Sequence, residues 1–122
     1  MREVIDIYVS AEMQSVAAAM EVLGNETRLS VYTLLVPAGR NGLTVENIQE
    51  KLAIPALTLS DHKSRLIRLG LVSQERQGRK LSCRANYRRV EGVLSFLARN
   101  CCVDEATFPA RRQQKRRTER GP

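Results

Sequence analysis

The stretch Ile54-Pro55-Ala56-Leu57-Thr58-Leu59-Ser60-Asp61-His62-Lys63-Ser64-Arg65-Leu66-Ile67-Arg68-Leu69-Gly70-Leu71-Val72 decides how this chain is read. Pro55 halts a preceding helix and lets a new one start directly after it. Gly70 can take the left-handed backbone that ends that helix. At about 100° per residue, Leu59, His62, Leu66 and Leu69 share one face. Leu57, Thr58, Ser60, Asp61, Ser64, Arg65 and Arg68 occupy the other. Short hydroxyls interleaved with arginines suit base edges and phosphates better than they suit a core. A solvated helix can present the same residues, so the flanking segments carry the decision.

Upstream, Thr44 caps a short helix that runs to about Leu52, with Val45, Ile48 and Leu52 on one apolar face. Ala53-Ile54-Pro55 is then a tight turn. Helix, short turn and basic helix together read as a helix-turn-helix. Downstream, Leu71–Arg76 and Lys80–Ala85 flank Gln77-Gly78-Arg79. Leu81, Cys83 and Ala85 alternate with Lys80, Ser82 and Arg84, the pattern of a β-hairpin with one buried face. Arg76, Arg79 and Lys80 gather at its tip, placed to meet phosphates beside a groove. The expected fold is a winged helix-turn-helix, mainly α with a β-hairpin wing.

Working outward, Met13, Val16, Ala17, Met20 and Leu23 recur at helical spacing from Ala11, and Gly24 ends that helix. Asn25 caps a second helix, with Glu26 in its first turn. Leu29, Val31, Tyr32, Leu34, Leu35 and Val36 surround this second helix on most sides, which predicts the buried centre of the domain. Pro37-Ala38-Gly39-Arg40-Asn41-Gly42 is a loop. A final helix spans about Arg88 to Asn100, with Val90, Val93, Leu94, Leu97, Ala98 and Cys101 in unbroken helical rhythm. A small domain has little core to cover such a stripe. This helix and the one over Ala11–Leu23 are therefore expected to form a homodimer interface, since helix-turn-helix proteins read two half-sites with a two-fold dimer.

Composition bounds the rest. The chain has 122 residues, 43% of them hydrophobic, with no Trp and 4% aromatics, so it can build one domain with an aliphatic core. Three parts are expected: an N-terminal segment 1–10, in which Ile5, Ile7 and Val9 alternate; a DNA-binding and dimerisation domain over 11–102; and a basic, disordered tail over 103–122. Of the net charge of +7, residues 110–122 carry +5, leaving +2 for the remainder. A high pI is thus weak evidence for nucleic-acid binding here. No apolar run is long enough for a membrane and no signal-peptide pattern opens the chain, which points to the cytoplasm. Cys83, Cys101 and Cys102 are then expected as reduced thiols. An enzyme is disfavoured: the single histidine, His62, lies on the basic helix, and neither a phosphate-binding glycine loop nor paired carboxylates are present.

Several blocks together resemble the arsenic-responsive branch of the ArsR/SmtB metalloregulators. They are Leu23-Gly24-Asn25-Glu26-Thr27-Arg28-Leu29, Leu43-Thr44-Val45-Glu46-Asn47-Ile48, Ser60-Asp61-His62 with Arg65-Leu66 and Gly70-Leu71-Val72, and the closing Asn100-Cys101-Cys102. The match covers roughly residues 11–102. It implies a dimeric repressor that leaves its palindromic operator when a toxic metal or metalloid binds. The chain departs from the family in two places. The helix before the basic helix reads Glu46-Asn47-Ile48-Gln49-Glu50 where the family's common arsenic site has Cys-Val-Cys, and the His/Asp zinc site on the last helix is absent. Lys63 also replaces an apolar residue.

The resemblance implies an arsenical as inducer, with no resident cofactor. Trivalent arsenic is soft and binds thiolates. Inorganic arsenite takes three, a monoalkyl arsenical two. If Cys101 and Cys102 are both helical, their side chains diverge by about 100°. That leads to the expectation that Cys83 and Cys101 form the essential pair, within one chain or across the dimer, with Cys102 auxiliary and methylarsenite preferred. Two alternatives stay open. One is an inorganic arsenite or antimonite sensor using all three cysteines; the other is a redox sensor in which Cys83 and Cys101 form a disulfide.

Overall fold

The computed structural model describes residues 10–101. The alternating segment at the N-terminus, Cys102 and the basic tail lie outside the described residues. The order is α1 (Ala11–Leu23), α2 (Glu26–Leu35), a single 3-10 turn (Gly39–Asn41), β1 (Leu43–Thr44), α3 (Val45–Leu52), α4 (Ala56–Arg68), β2 (Val72–Gln77), β3 (Lys80–Ala85) and α5 (Tyr87–Cys101).

Local chemistry sets these boundaries. Ser10, Asn25 and Thr44 each turn a side-chain oxygen onto a backbone N–H three residues on, at 3.1, 3.0 and 3.1 Å. Each bond satisfies one of the orphan donors at the start of α1, α2 and α3. The turn from α3 to α4 is made by Ala53 in the left-handed region, φ 53°, followed by Pro55 in extended backbone. Gly70, φ 75°, ends α4 as expected.

The strands form one antiparallel sheet in the order β1-β3-β2. The wing hairpin is in register from Val72↔Ala85 to Gln77↔Lys80, so its turn is Gly78-Arg79 alone. β1 is the addition to the expected hairpin. Leu43 pairs with Cys83 and Thr44 with Ser82, which buries the outer edge of β3. This close approach needs Gly42, whose φ is 66° and where an added Cβ would overlap the Cys83 carbonyl. Ser82, a polar residue in an alternating strand, is buried because its hydroxyl donates to the Asn41 carbonyl at 3.2 Å.

The core joins Val16 and Ala19 of α1, Val31, Tyr32 and Leu35 of α2, Ile48 of α3, Leu59 and Leu66 of α4, Leu71, Val72 and Cys83 of the wing, and Val93 and Phe96 of α5. One expectation is corrected. α2 is not enclosed on most sides, because Leu29 and Val36 are 45% and 37% exposed and only one face is buried. In α5, Val93, Phe96 and Ala98 are buried, whereas Leu94 is 53% exposed and Cys101 is exposed, apolar surface of the kind expected to be left for a second copy. The reason is where α1 lies. α5 packs its Val93–Phe96 side on α1, and the Arg99–Glu12 ion pair at 2.6 Å fixes the far end of that contact.

Candidate nucleic-acid interface and thiol site

α4 buries Leu59 and Leu66 completely and half-buries His62 and Leu69, so its inner face is the expected one. Leu57, Thr58, Ser60, Asp61, Ser64, Arg65 and Arg68 are all exposed. Leu57, Ser60, Asp61, Ser64, Arg65 and Arg68 follow i, i+3, i+4, i+7, i+8, i+11 and form one continuous outward stripe. Leu57 is 82% exposed at the start of the helix, an apolar group of the kind that meets a thymine methyl. Asp61 and Arg65 stand one turn apart, 3.7 Å between Oδ2 and Nε. An exposed pair of this kind adds little stability. It does hold the guanidinium along the helix axis.

The wing tip carries Arg76, Arg79 and Lys80, all exposed. The register places Arg76 opposite Leu81 and Lys80 opposite Gln77. Because strand side chains alternate, Arg76 and Lys80 lie on opposite faces of the hairpin. They bracket the tip where a single cluster was expected.

Three side chains tie α4 to the rest of the molecule, and none was singled out from the sequence. Arg28 donates from Nε to the Val22 carbonyl at 2.6 Å, and its Nη1 lies 3.4 Å from His62 Nδ1. This joins the end of α1, the start of α2 and the middle of α4, and makes His62 a helix-helix contact. Arg89 of α5 donates from Nε to the Leu69 carbonyl and from Nη2 to the Ser15 carbonyl, both at 3.1 Å. Asn86 donates its side-chain amide to the Gly70 carbonyl at 2.9 Å and its backbone N–H to the Leu71 carbonyl at 2.9 Å. The carbonyls that close α4 are thus held by the start of α5. A cation at a helix C-terminus also complements its dipole.

The cysteines lie in different surroundings. Cys83 sits in the middle of β3 between Leu43 and Gln74, with no exposed surface. Its Sγ is 4.0 Å from the Gln74 side-chain oxygen. Burial pushes its thiol up from the ordinary range, and the nearby Lys63 ammonium pulls the other way more weakly. Cys101 is exposed in the last turn of α5. Along the helix axis it stands about 20 Å from Tyr87, where α5 begins two residues after the end of β3. Among the described residues no group of three His, Cys, Asp or Glu side chains could hold a metal ion.

No protein-family model matches the chain, and no curated protein matches it. Solved structures do match. An ArsR-like transcriptional regulator from Rhodococcus sp. RHA1 is 21% identical, with 86% of this chain and 92% of that one covered and a TM-score of 0.63. The homodimeric winged helix-turn-helix DNA-binding domain of a possible ArsR-family transcriptional regulator from Mycobacterium bovis is 23% identical, with 72% and 81% covered and a TM-score of 0.57. The MepR–DNA complex of S. aureus is 18% identical, with 88% and 80% covered and a TM-score of 0.53. The fold is that of winged helix-turn-helix domains. No helix among the described residues is long and apolar enough to cross a membrane.

Proposed function

We propose that the chain is a DNA-binding transcriptional repressor of the ArsR/SmtB type, acting as a homodimer on a palindromic operator and released by a trivalent arsenical. The observation that carries the DNA reading is the outward stripe of α4, hydroxyls and arginines led by an exposed leucine, flanked by a basic wing tip. The dimer reading draws on apolar surface that the monomer leaves open, Met20 on α1 and Leu94 on α5, and on the homodimeric Mycobacterium bovis domain of the same fold. In this role α4 lies in the major groove and the wing arginines meet phosphates at its edge.

The thiolates assigned to the arsenical are those of Cys101 and Cys102, in place of the Cys83–Cys101 pair expected from the sequence. Metalloids bind thiolates, and Cys83 is buried, which pushes its thiol up from the ordinary range. Cys101 is exposed, and Cys102 is its neighbour in the sequence. A methylated arsenical has two positions to fill, and adjacent Cys101 and Cys102 fill both where their side chains depart from the helical divergence of about 100°. Cys83 is a small core residue. Release follows from linkage: the ligand must favour the arrangement that does not fit DNA, and DNA affinity falls by the same factor. α5 carries Cys101 at one end and the Asn86 and Arg89 bonds to the end of α4 at the other.

The test is a set of single variants titrated with methylarsenite against bound operator. Cys101→Ser and Cys102→Ser should each abolish release, and Cys83→Ala should keep it. Loss of release in Cys83→Ala, with folding and DNA affinity intact, would restore the Cys83 pairing.

A further inference from the structure

A cleft of about 520 Å³ opens at the base of the wing, away from both α4 and the hairpin tip. Its walls come from the end of α2, the 3-10 turn, the open end of the hairpin and the start of α5. Val36 and Tyr87 give it two apolar surfaces, and Arg40 and Arg84 give it two guanidinium groups. Ser73 and Asn86 add small polar groups between them. The volume falls within the usual range for small-molecule sites, and so does this mixture of apolar wall and a few convergent polar groups.

The charges define what fits. Arg84 is paired with Glu75 at 3.1 Å, and Arg40 has no ion pair among the described residues. The local balance is one unmatched positive charge. Val36 and Tyr87 are 37% and 57% exposed, so two large apolar side chains flank that charge in open solvent. An inorganic anion would gain nothing from those walls, and a neutral apolar molecule would leave the Arg40 guanidinium unmatched. Behind this wall the Tyr32 hydroxyl is buried without a hydrogen-bond partner among the described residues, one helical turn before Val36.

DNA phosphate is not the natural occupant. Ser73 and Arg84 face each other four residues from the tip pair Gln77↔Lys80. At about 3.3 Å per residue the cleft lies roughly 13 Å back from the basic tip.

We propose that this cleft binds a small monocarboxylate with an apolar, ring-sized body, its carboxylate between Arg40 and Arg84 and its ring against Tyr87 and Val36. Because Arg84 also holds Glu75 of β2, occupancy is felt in the wing. The site is separate from the cysteines.

Benzoate is the probe, with benzamide as its neutral counterpart, titrated into the full-length chain and followed by backbone amide NMR. Benzoate should shift the amides of Arg40, Arg84, Tyr87 and Glu75 along one saturable curve, and benzamide should bind at least tenfold more weakly. Arg40→Ala and Tyr87→Ala should each weaken benzoate at least fivefold, whereas Tyr87→Phe should bind like the parent. Equal binding of benzoate and benzamide, indifference to Arg40→Ala, or shifts confined to α4 and the wing tip would overturn the proposal. The titration uses neither DNA nor arsenical, so its failure is distinct from failure of the repressor reading.

Discussion

Removing the Arg89 side chain should loosen α4 from the body of the domain. Its guanidinium makes two hydrogen bonds of 3.1 Å to main-chain carbonyls on two other elements: Leu69, which closes α4, and Ser15, in α1. Hydrogen bonds from a charged donor are worth about 1.5–3 kcal/mol each when a partner is left unsatisfied. The bond to Leu69 is partly buried and takes that value near its lower half. The bond to Ser15 is exposed, where water replaces most of it. Arg89→Ala should therefore cost about 2 kcal/mol of stability, a large share of the roughly 5–15 kcal/mol typical of a domain. For a domain of this size that lowers Tm by roughly 8–16 °C. Arg89→Lys should recover less than half, because an ammonium lacks the planar fork that reaches both carbonyls. Urea denaturation at one pH gives the stability, and anisotropy with a labelled duplex, well below the variant's Tm, gives the affinity. Affinity should fall in Arg89→Ala while the protein is still folded, since α4 loses its anchor. A stability loss under about 0.5 kcal/mol, or an Arg89→Lys variant equal to the parent, would refute this reasoning.

Three further outcomes follow from the geometry. Under native conditions iodoacetamide should modify Cys101 at least ~100-fold faster than Cys83, because Cys83 reacts only through opening of the wing; peptide mapping over time reads both rates, and comparable rates would mean that β3 is not sealed. Burial raises the folded-state pKa of Cys83 above that of an ordinary thiol, about 9. Its contribution to stability is thus complete below about pH 9 and is lost as pH rises through the higher folded value; a parent chain that loses stability between pH 8 and 10 no faster than Cys83→Ala would contradict this. Replacing Arg76, Arg79 or Lys80 singly with alanine should weaken duplex binding similarly for specific and non-specific sequences and lower the salt slope by up to about one unit each; an unchanged slope would remove the wing tip from the interface.

The local signals carried most of the fold. The caps at Asn25 and Thr44, the Pro55 start and the Gly70 stop of α4 are each set by one or two residues, and the structure follows them. What escaped depends on distant partners. β1 is two residues long, and only its pairing with β3 defines it. Phe96, outside the stripe read from the sequence, joins the buried side of α5, while Leu94 stays exposed. The alternation in β3 turned Cys83 inward, as the structure has it. Helical spacing placed Cys101 on an apolar face that the chain alone leaves uncovered. Arg28, Asn86 and Arg89 look like surface charge and turn polarity in the sequence; their value lies in the carbonyls they find. The cleft at Arg40 and Tyr87 joins segments nearly fifty residues apart and has no sequence signature.

The most direct measurement is displacement of a labelled operator duplex, recovered by selection from a random-sequence pool, while methylarsenite and inorganic arsenite are added separately. The account predicts a salt-sensitive complex with one dimer per palindrome. Methylarsenite should release it at about one equivalent per chain, and inorganic arsenite should need at least tenfold more. A complex that forms but survives both arsenicals would contradict the arsenical reading, and a chain that recovers no duplex at all would contradict the repressor itself.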